Sequence, residues 1–264
     1  MEALLSVSFD NISSKDSSKI RKGLRQIEGL LAQLCLPRTS SRTSPNKRKS
    51  SSRTVSSEDT QAPKSLGQVA EDPAFREFFR LQEGFEWNVA TRLMSCLETL
   101  LGMPPNGQSN ALILSALDLL QGILLLHPPS RSLFRRESYM MILLDLLDAA
   151  NPATIQMQSL LVLVTALLAT PANTRVFESL DGLLTVASLV KSRATPQELK
   201  KKTMEFFYFY LMPESTDQEE DGTTKTMEEK QRLLEKYLEK YLPNLDVSEM
   251  VQDLRETTPY AIAA

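Results

Sequence analysis

Three times along this chain a proline is followed six residues later by a phenylalanine and then by a leucine-rich run. Pro73 precedes Phe79 and the run 89–101, Pro128 precedes Phe134 and the run 139–147, and Pro171 precedes Phe177 and the run 183–190. The copies are spaced by 55 and then 43 residues. The third copy reads most clearly as a short helix, a tight turn at Asp181-Gly182 and a longer apolar helix. A unit of this size cannot bury its own apolar face, so neighbouring copies must stack, which predicts an all-α helical-repeat solenoid. Function in such a fold is expected on a surface rather than in a pocket.

Composition supports that reading. The 264 residues are 42% apolar and 24% charged, enough for a packed core. Nine glycines, 6% aromatics and the absence of strict polar–apolar alternation argue against sandwiches, barrels and dinucleotide folds. The start of the chain, Met1-Glu2-Ala3-Leu4-Leu5, is acidic and unlike a signal peptide. The apolar run 160–169 is well short of the ~20 residues of a membrane helix. A soluble, cytoplasmic protein with no membrane partner is therefore expected. The net charge of −3 is uninformative as a total, whereas its distribution is not.

Four segments follow. Residues 1–36 open the array; a helix capped by Ser17-Ser18 carries the stripe Ile20, Leu24, Ile27, Leu31 and Leu34 and stops at Pro37. Residues 37–72 hold thirteen Ser/Thr and seven bases against four acids, too little apolar surface to offset ordering, so a disordered basic linker is expected. Residues 73–212 are helix after helix, the first opened by Asp72-Pro73. Residues 213–264 form an acidic tail with an amphipathic helix over 226–242; from Glu214 onward thirteen acids face six bases. That tail either caps the last repeat or detaches to bind a partner.

Few residues are placed for chemistry. His127, the sole histidine, precedes two prolines and suits a helix end better than acid–base catalysis. Cys35 and Cys96 are 61 residues apart, with no companions for a disulfide framework or zinc site. Six positions after each stand Ser41 and Gly102, where a cysteine-dependent phosphatase needs arginine. No glycine-rich phosphate loop is present. No enzyme activity, cofactor or metal is expected.

Surface residues carry more. Met204 and Tyr208 fall off the inward stripe of the helix 196–212, beside Lys200, Lys201 and Lys202, so they either meet a partner or pack on the tail helix. In the helix expected over 86–101, Asn88, Arg92, Ser95 and Thr99 form a polar stripe that faces either a partner or solvent. In the linker, Ser44-Pro45 and Arg53-Thr54-Val55-Ser56 fit kinase sites, making Ser44 and Ser56 candidates for phosphorylation. Lys47-Arg48-Lys49 reads as a nuclear signal, a nucleic-acid arm or a solvated charge run, and nucleic acid is not the expected partner.

Three segments, Leu24-Arg-Gln-Ile-Glu-Gly-Leu-Leu31, Asp72-Pro-Ala-Phe-Arg-Glu-Phe-Phe79 continuing to Trp87-Asn88, and Asn173-Thr-Arg-Val-Phe-Glu-Ser-Leu-Asp-Gly182, occur in this order. In them the chain resembles the fungal cell-division-control protein fourteen family of the septation initiation network. That family is unrelated to the phosphatase sharing its name. The resemblance runs from about residue 3 to residue 212 and implies a non-enzymatic scaffold, armadillo-like by analogy with scaffolds of related kinases. It implies a germinal-centre-type Ser/Thr protein kinase as partner, a place at the spindle pole body, and a role in septum formation and cytokinesis. A general armadillo-like adaptor for linear peptides, or a nucleic-acid or nuclear-transport factor using the basic linker, stands as the alternative. No oligomeric state is implied.

Overall fold

A computed structural model describes residues 1–36, 64–104, 107–191, 195–214, 224–241 and 246–257. Every regular element among them is helical, so the chain is all-α. A helix pair, α1 (Glu2–Ile12) and α2 (Ser17–Cys35), comes first, and a short α3 (Leu66–Glu71) precedes the first proline unit. Pro73 then opens α4 (Pro73–Glu83), followed by α5 (Val89–Leu101) and the long α6 (Gly107–Leu126). Pro128 opens a 3-10 helix (Pro128–Arg135), followed by α7 (Glu137–Leu146) and α8 (Ala153–Leu167). Pro171 opens α9 (Pro171–Ser179), followed by α10 (Gly182–Lys191) and α11 (Gln197–Leu211). The tail contributes α12 (Met227–Tyr241) and α13 (Val247–Thr257).

The prolines work because the first helical turn needs no internal N–H donors and favours a φ near −65°. Asp72 completes the first start, its Oδ1 accepting from the Ala74 amide at 2.9 Å. The proline of the second unit opens no α-helix, unlike those of the first and third. Two adjacent prolines supply no donors, and the Ser132 hydroxyl takes up the Pro129 carbonyl at 2.7 Å, leaving an eight-residue 3-10 segment.

The three units repeat one packing plan. Helices α2, α6, α8 and α11 lie side by side in chain order, with α5, α7 and α10 on α6, α8 and α11. Shorter elements α4, the 3-10 helix and α9 form an adjoining row. The stripe expected on α2 is buried, as are Val89, Leu93, Leu97 and Leu100 of α5 and Leu199, Phe206, Phe207 and Tyr210 of α11, and one continuous apolar core runs from Leu5 to Val251. Each buried leucine or phenylalanine contributes about 2 kcal/mol, and most of that burial is between helices rather than within one. Helix α6 is as long and apolar as a membrane span, with a mean hydropathy of 1.7 over its window. Its inner half is nonetheless covered by α2, α5 and α8, which makes it the central core helix.

Both ends extend the plan. At the start, α1 and α2 approach closely at Gly23, where a Cβ would lie 2.6 Å from Cγ2 of Ile12 and 2.8 Å from the Ser8 carbonyl. At the finish α12 packs on α10 and α11, and α13 on α11 and α12, burying Leu234, Leu238, Met250 and Val251. The tail packs back.

Four expectations change. The N-cap of α2 is Asp16, whose Oδ1 accepts from the Ser18 amide at 2.8 Å, because a carboxylate outcompetes the serines behind it. The linker expected over 37–72 ends sooner: Ser65 and Gln68 form a reciprocal capping box for α3, and Lys64 pairs with Asp72 at 2.7 Å. Residues 37–63, with Ser44 and Ser56, lie outside the described residues. Helix α5 starts at Val89 rather than residue 86, because Asn88 is its cap. Helix α13 was not foreseen, although Val247, Met250, Val251 and Leu254 recur at helical spacing.

A seam of buried polar groups joins the units. The Asn88 amide donates to the Gln82 carbonyl at 2.7 Å and to Ser130 Oγ at 3.1 Å, crossing from the first unit to the second. Ser130 Oγ also stands 2.8 Å from Nδ1 of His127, whose ring meets Phe79 edge-on at 4.4 Å. One residue on, the Arg131 carbonyl accepts from Asn173 Nδ2 at 2.8 Å, joining the second unit to the third. The same Asn173 amide reaches the Ala166 carbonyl at 2.6 Å. The Arg131 guanidinium caps two long helices at once, donating to the carbonyls of Leu124 at 3.1 Å and Leu168 at 3.0 Å.

Two predictions follow from this packing. A Cβ on Gly182 would collide with the ring of Phe177, which is fully buried and packs edge-on against Phe206 at 5.6 Å. Gly182→Ala is expected to destabilise the fold by about 3 kcal/mol in urea unfolding monitored by circular dichroism. Burial lowers the His127 pKa below its ordinary 6.5, with Glu83 partly opposing. Between the folded value and 6.5 the unfolded chain holds the proton more readily, so stability is full above pH 6.5 and falls as pH drops below it. The urea midpoint should fall between pH 7.5 and 5.5, and less so in His127→Gln.

Candidate protein-binding surface

Helices α6 and α8 each present one outward face. On α6 it carries Ala111, Ser115, Asp118 and Leu125, and on α8 Thr154, Gln158, Leu161 and Leu168. The row is bridged where Gln158 Nε2 donates to Gln121 Oε1 at 3.0 Å. The α8 portion carries no charge, whereas the flanks do: Arg21 and Arg25 on α2, and Lys201 on α11. Between α2 and α6 lies a cleft of about 200 Å³ lined by Arg21, Arg25 and Glu28 of α2 and by Asp118 of α6, with Leu24 and Leu112. Burial, and then the negative charge of Glu28, push the Asp118 carboxyl above its ordinary pKa. Mixed charge around a shallow apolar floor suits recognition of a polypeptide better than of a small anion.

The residues singled out from sequence separate. Lys201 is exposed on α11, the helix next to α8. Met204 is half-buried against the core. Tyr208 packs on the tail: its hydroxyl donates to Asp253 Oδ2 of α13 at 3.2 Å, and burial followed by that bond raises its pKa. Of the two readings of this patch, the structure shows tail packing for Tyr208. Asn88 is buried, with both ends of its amide engaged, so the stripe expected to face outward loses its first member to the interior. Arg92 is half-buried between the rings of Phe9 and Phe85, 5.4 and 5.8 Å from their centroids. Phe9, Phe85 and Trp87 were not picked out, though the run Phe85-Glu86-Trp87 between two helices was the available signal.

A charged cluster fastens the tail. Glu178 of α9 accepts from Tyr210 Oη and pairs with Lys225 Nζ, each at 2.6 Å. Glu214 pairs with Arg175 at 2.6 Å and with the buried Lys230 of α12 at 3.0 Å, and Lys230 also donates to the Met212 carbonyl at 2.9 Å. Burial lowers the Lys230 pKa, and the charge and hydrogen bond of Glu214 partly restore it. Beside the cluster an apolar cleft of about 260 Å³ opens among Leu168, Pro171, Phe209, Met212 and Pro213.

Among the described residues no three His, Cys, Asp or Glu side chains converge to hold a metal. Burial pushes the Cys96 thiol up to about 12, so it stays protonated at neutral pH.

Comparison with known proteins bears on these surfaces. The family model described as cell division control protein 14, SIN component, matches residues 1–223. The chain belongs to this family. Cell division control protein 14 of Schizosaccharomyces pombe is 27% identical over 268 residues, which cover 98% of this chain and 97% of that relative. No solved structure matches. The family is thus one of cell-division control and, by its description, not of phosphatases.

The cluster yields its own expectation. Lys230→Met should lower the unfolding free energy by about 2 kcal/mol, because Glu214 keeps only Arg175 for its charge. Urea unfolding in low and high salt checks it: a buried pair predicts a loss that salt barely changes.

Proposed function

We propose that this member of the cell division control protein 14 family is a non-enzymatic, armadillo-like scaffold for a germinal-centre-type Ser/Thr protein kinase. Three successive helix trios with their long helices in one row support the solenoid reading. The outward face of that row supports the scaffold reading and is the single observation carrying it. Its α8 portion is uncharged, with Thr154 and Gln158 in its first half and exposed Leu168 just past its end, and exposed cations stand on the helices at either side, Arg21 and Arg25 on α2 and Lys201 on α11. A surface of this kind exchanges water for a folded partner at modest desolvation cost, and its flanking charges steer the approach. Held there, a kinase domain or its C-terminal extension is kept in an active arrangement, supporting septum formation and cytokinesis. The working location in this proposal is the cytoplasm and the spindle pole body.

Co-expression with a kinase of this class tests the proposal. A complex that survives size exclusion, with kinase activity above that of the kinase alone, is the expected result. The exposed-face double variant Ser115→Arg/Thr154→Arg should weaken co-purification on the order of tenfold with the circular dichroism melt unchanged. A folded scaffold that fails to co-purify would overturn it.

A further inference from the structure

The loop between α4 and α5 holds the most exposed large apolar side chain described, Phe85, at 72% of its full accessible surface. It is held outward by construction. Arg92 reaches back from the first turn of α5, its guanidinium lying between the rings of Phe85 and Phe9. Its Nη2 makes a long contact, 3.4 Å, with the Glu86 carbonyl, while its buried Nε has no hydrogen-bond partner. Behind this pair Trp87 stacks on Phe9 at 6.4 Å, and the Trp87 carbonyl is tied to Gln82 Nε2 at 3.1 Å. The Asn88 cap and Gln82, which also accepts from the Val89 amide at 2.8 Å, fix both ends of the loop. The result is a platform of three packed aromatic rings and one arginine with Phe85 as its exposed member, built of the side-chain types that dominate binding energy at protein interfaces.

The rim of the platform is acidic. Glu83, the last residue of α4, and Glu86 in the loop flank Phe85 in sequence, and Asp10 follows Phe9 on α1; all three are exposed. The one cation of the platform, Arg92, is occupied by the two rings. An acidic partner would meet three carboxylates, and a purely apolar one would strip water from them with nothing in return. We propose that this platform docks a segment of a partner protein that presents an apolar or aromatic anchor flanked by lysine or arginine. The anchor packs on the exposed ring of Phe85, and the flanking cations pair with Glu83 and Glu86. The surface is separate from the outward face of α6 and α8, so the inference goes beyond the kinase reading and does not depend on it.

The chain has one tryptophan, Trp87, so its intrinsic fluorescence reports on the platform directly. The probe is a synthetic peptide with one phenylalanine flanked by lysines, compared with versions carrying glutamates for the lysines or alanine for the phenylalanine. With the full chain, only the lysine–phenylalanine peptide should shift Trp87 emission saturably, and the anisotropy of a labelled copy should follow. Phe85→Ala and Glu83→Lys/Glu86→Lys should each weaken binding on the order of tenfold, both with unchanged thermal melts. Added salt should weaken it further. The proposal is overturned if the glutamate peptide binds as well, if no response appears by about 1 mM peptide, or if Phe85→Ala binds like the parent. It is also overturned if the chain self-associates in sedimentation and Phe85→Ala abolishes that, which would make a second copy the occupant. Loss of kinase co-purification alongside an intact peptide response would count against the kinase reading alone.

Discussion

Helix ends leave backbone carbonyls and amides without partners in their own helix, and in a stack of short helices those ends must meet somewhere dry. Here they meet at Ser130 and Arg131. The serine hydroxyl takes the Asn88 amide of the first unit, and the neighbouring carbonyl takes the Asn173 amide of the third. The guanidinium of Arg131 closes the ends of α6 and α8. Apolar burial is non-directional and would tolerate many slips of one helix over another, whereas these bonds tolerate almost none. The leucines supply the drive to stack and the seam sets the register.

With register set, the outer surfaces are set as well. Gln121 and Gln158 come within bonding distance because their helices are held parallel and adjacent, and the same spacing places Glu28 opposite Asp118 in the α2–α6 cleft. The platform at Phe85 depends on the seam more directly. Asn88 is at once the cap that starts α5, the link to Ser130 and the residue that ends the aromatic loop. A substitution there would move a surface, a helix start and a junction between units together.

The helical plan could be read from residue order because proline position, apolar spacing and turn residues all agreed. The stripes on α2, α5 and α11 are local properties, and tertiary packing had no reason to override them. Asn88 was misplaced for a local reason too. Starting the helix at residue 86 put its side chain on an outer face, whereas an asparagine ahead of a long apolar run is a strong cap. The fate of Tyr208 was not local: whether it met a partner or the tail depended on Asp253, 45 residues away. The aromatic platform was hidden similarly, since Phe9 and Arg92 come together only when α1 packs on α5.

The charged cluster at the far end has a bearing on where this protein can be divided. The family match stops at residue 223, two residues before Lys225 and seven before Lys230. Glu178 and Glu214 fall inside that boundary, and the two lysines facing them fall outside it. A piece trimmed to the shared family region would keep both carboxylates in a recess shaped for five charges, with Arg175 alone to face them. It would also uncover the side of α10 and α11 that Leu234 and Leu238 occupy. The unit that folds is therefore longer than the unit that the family defines.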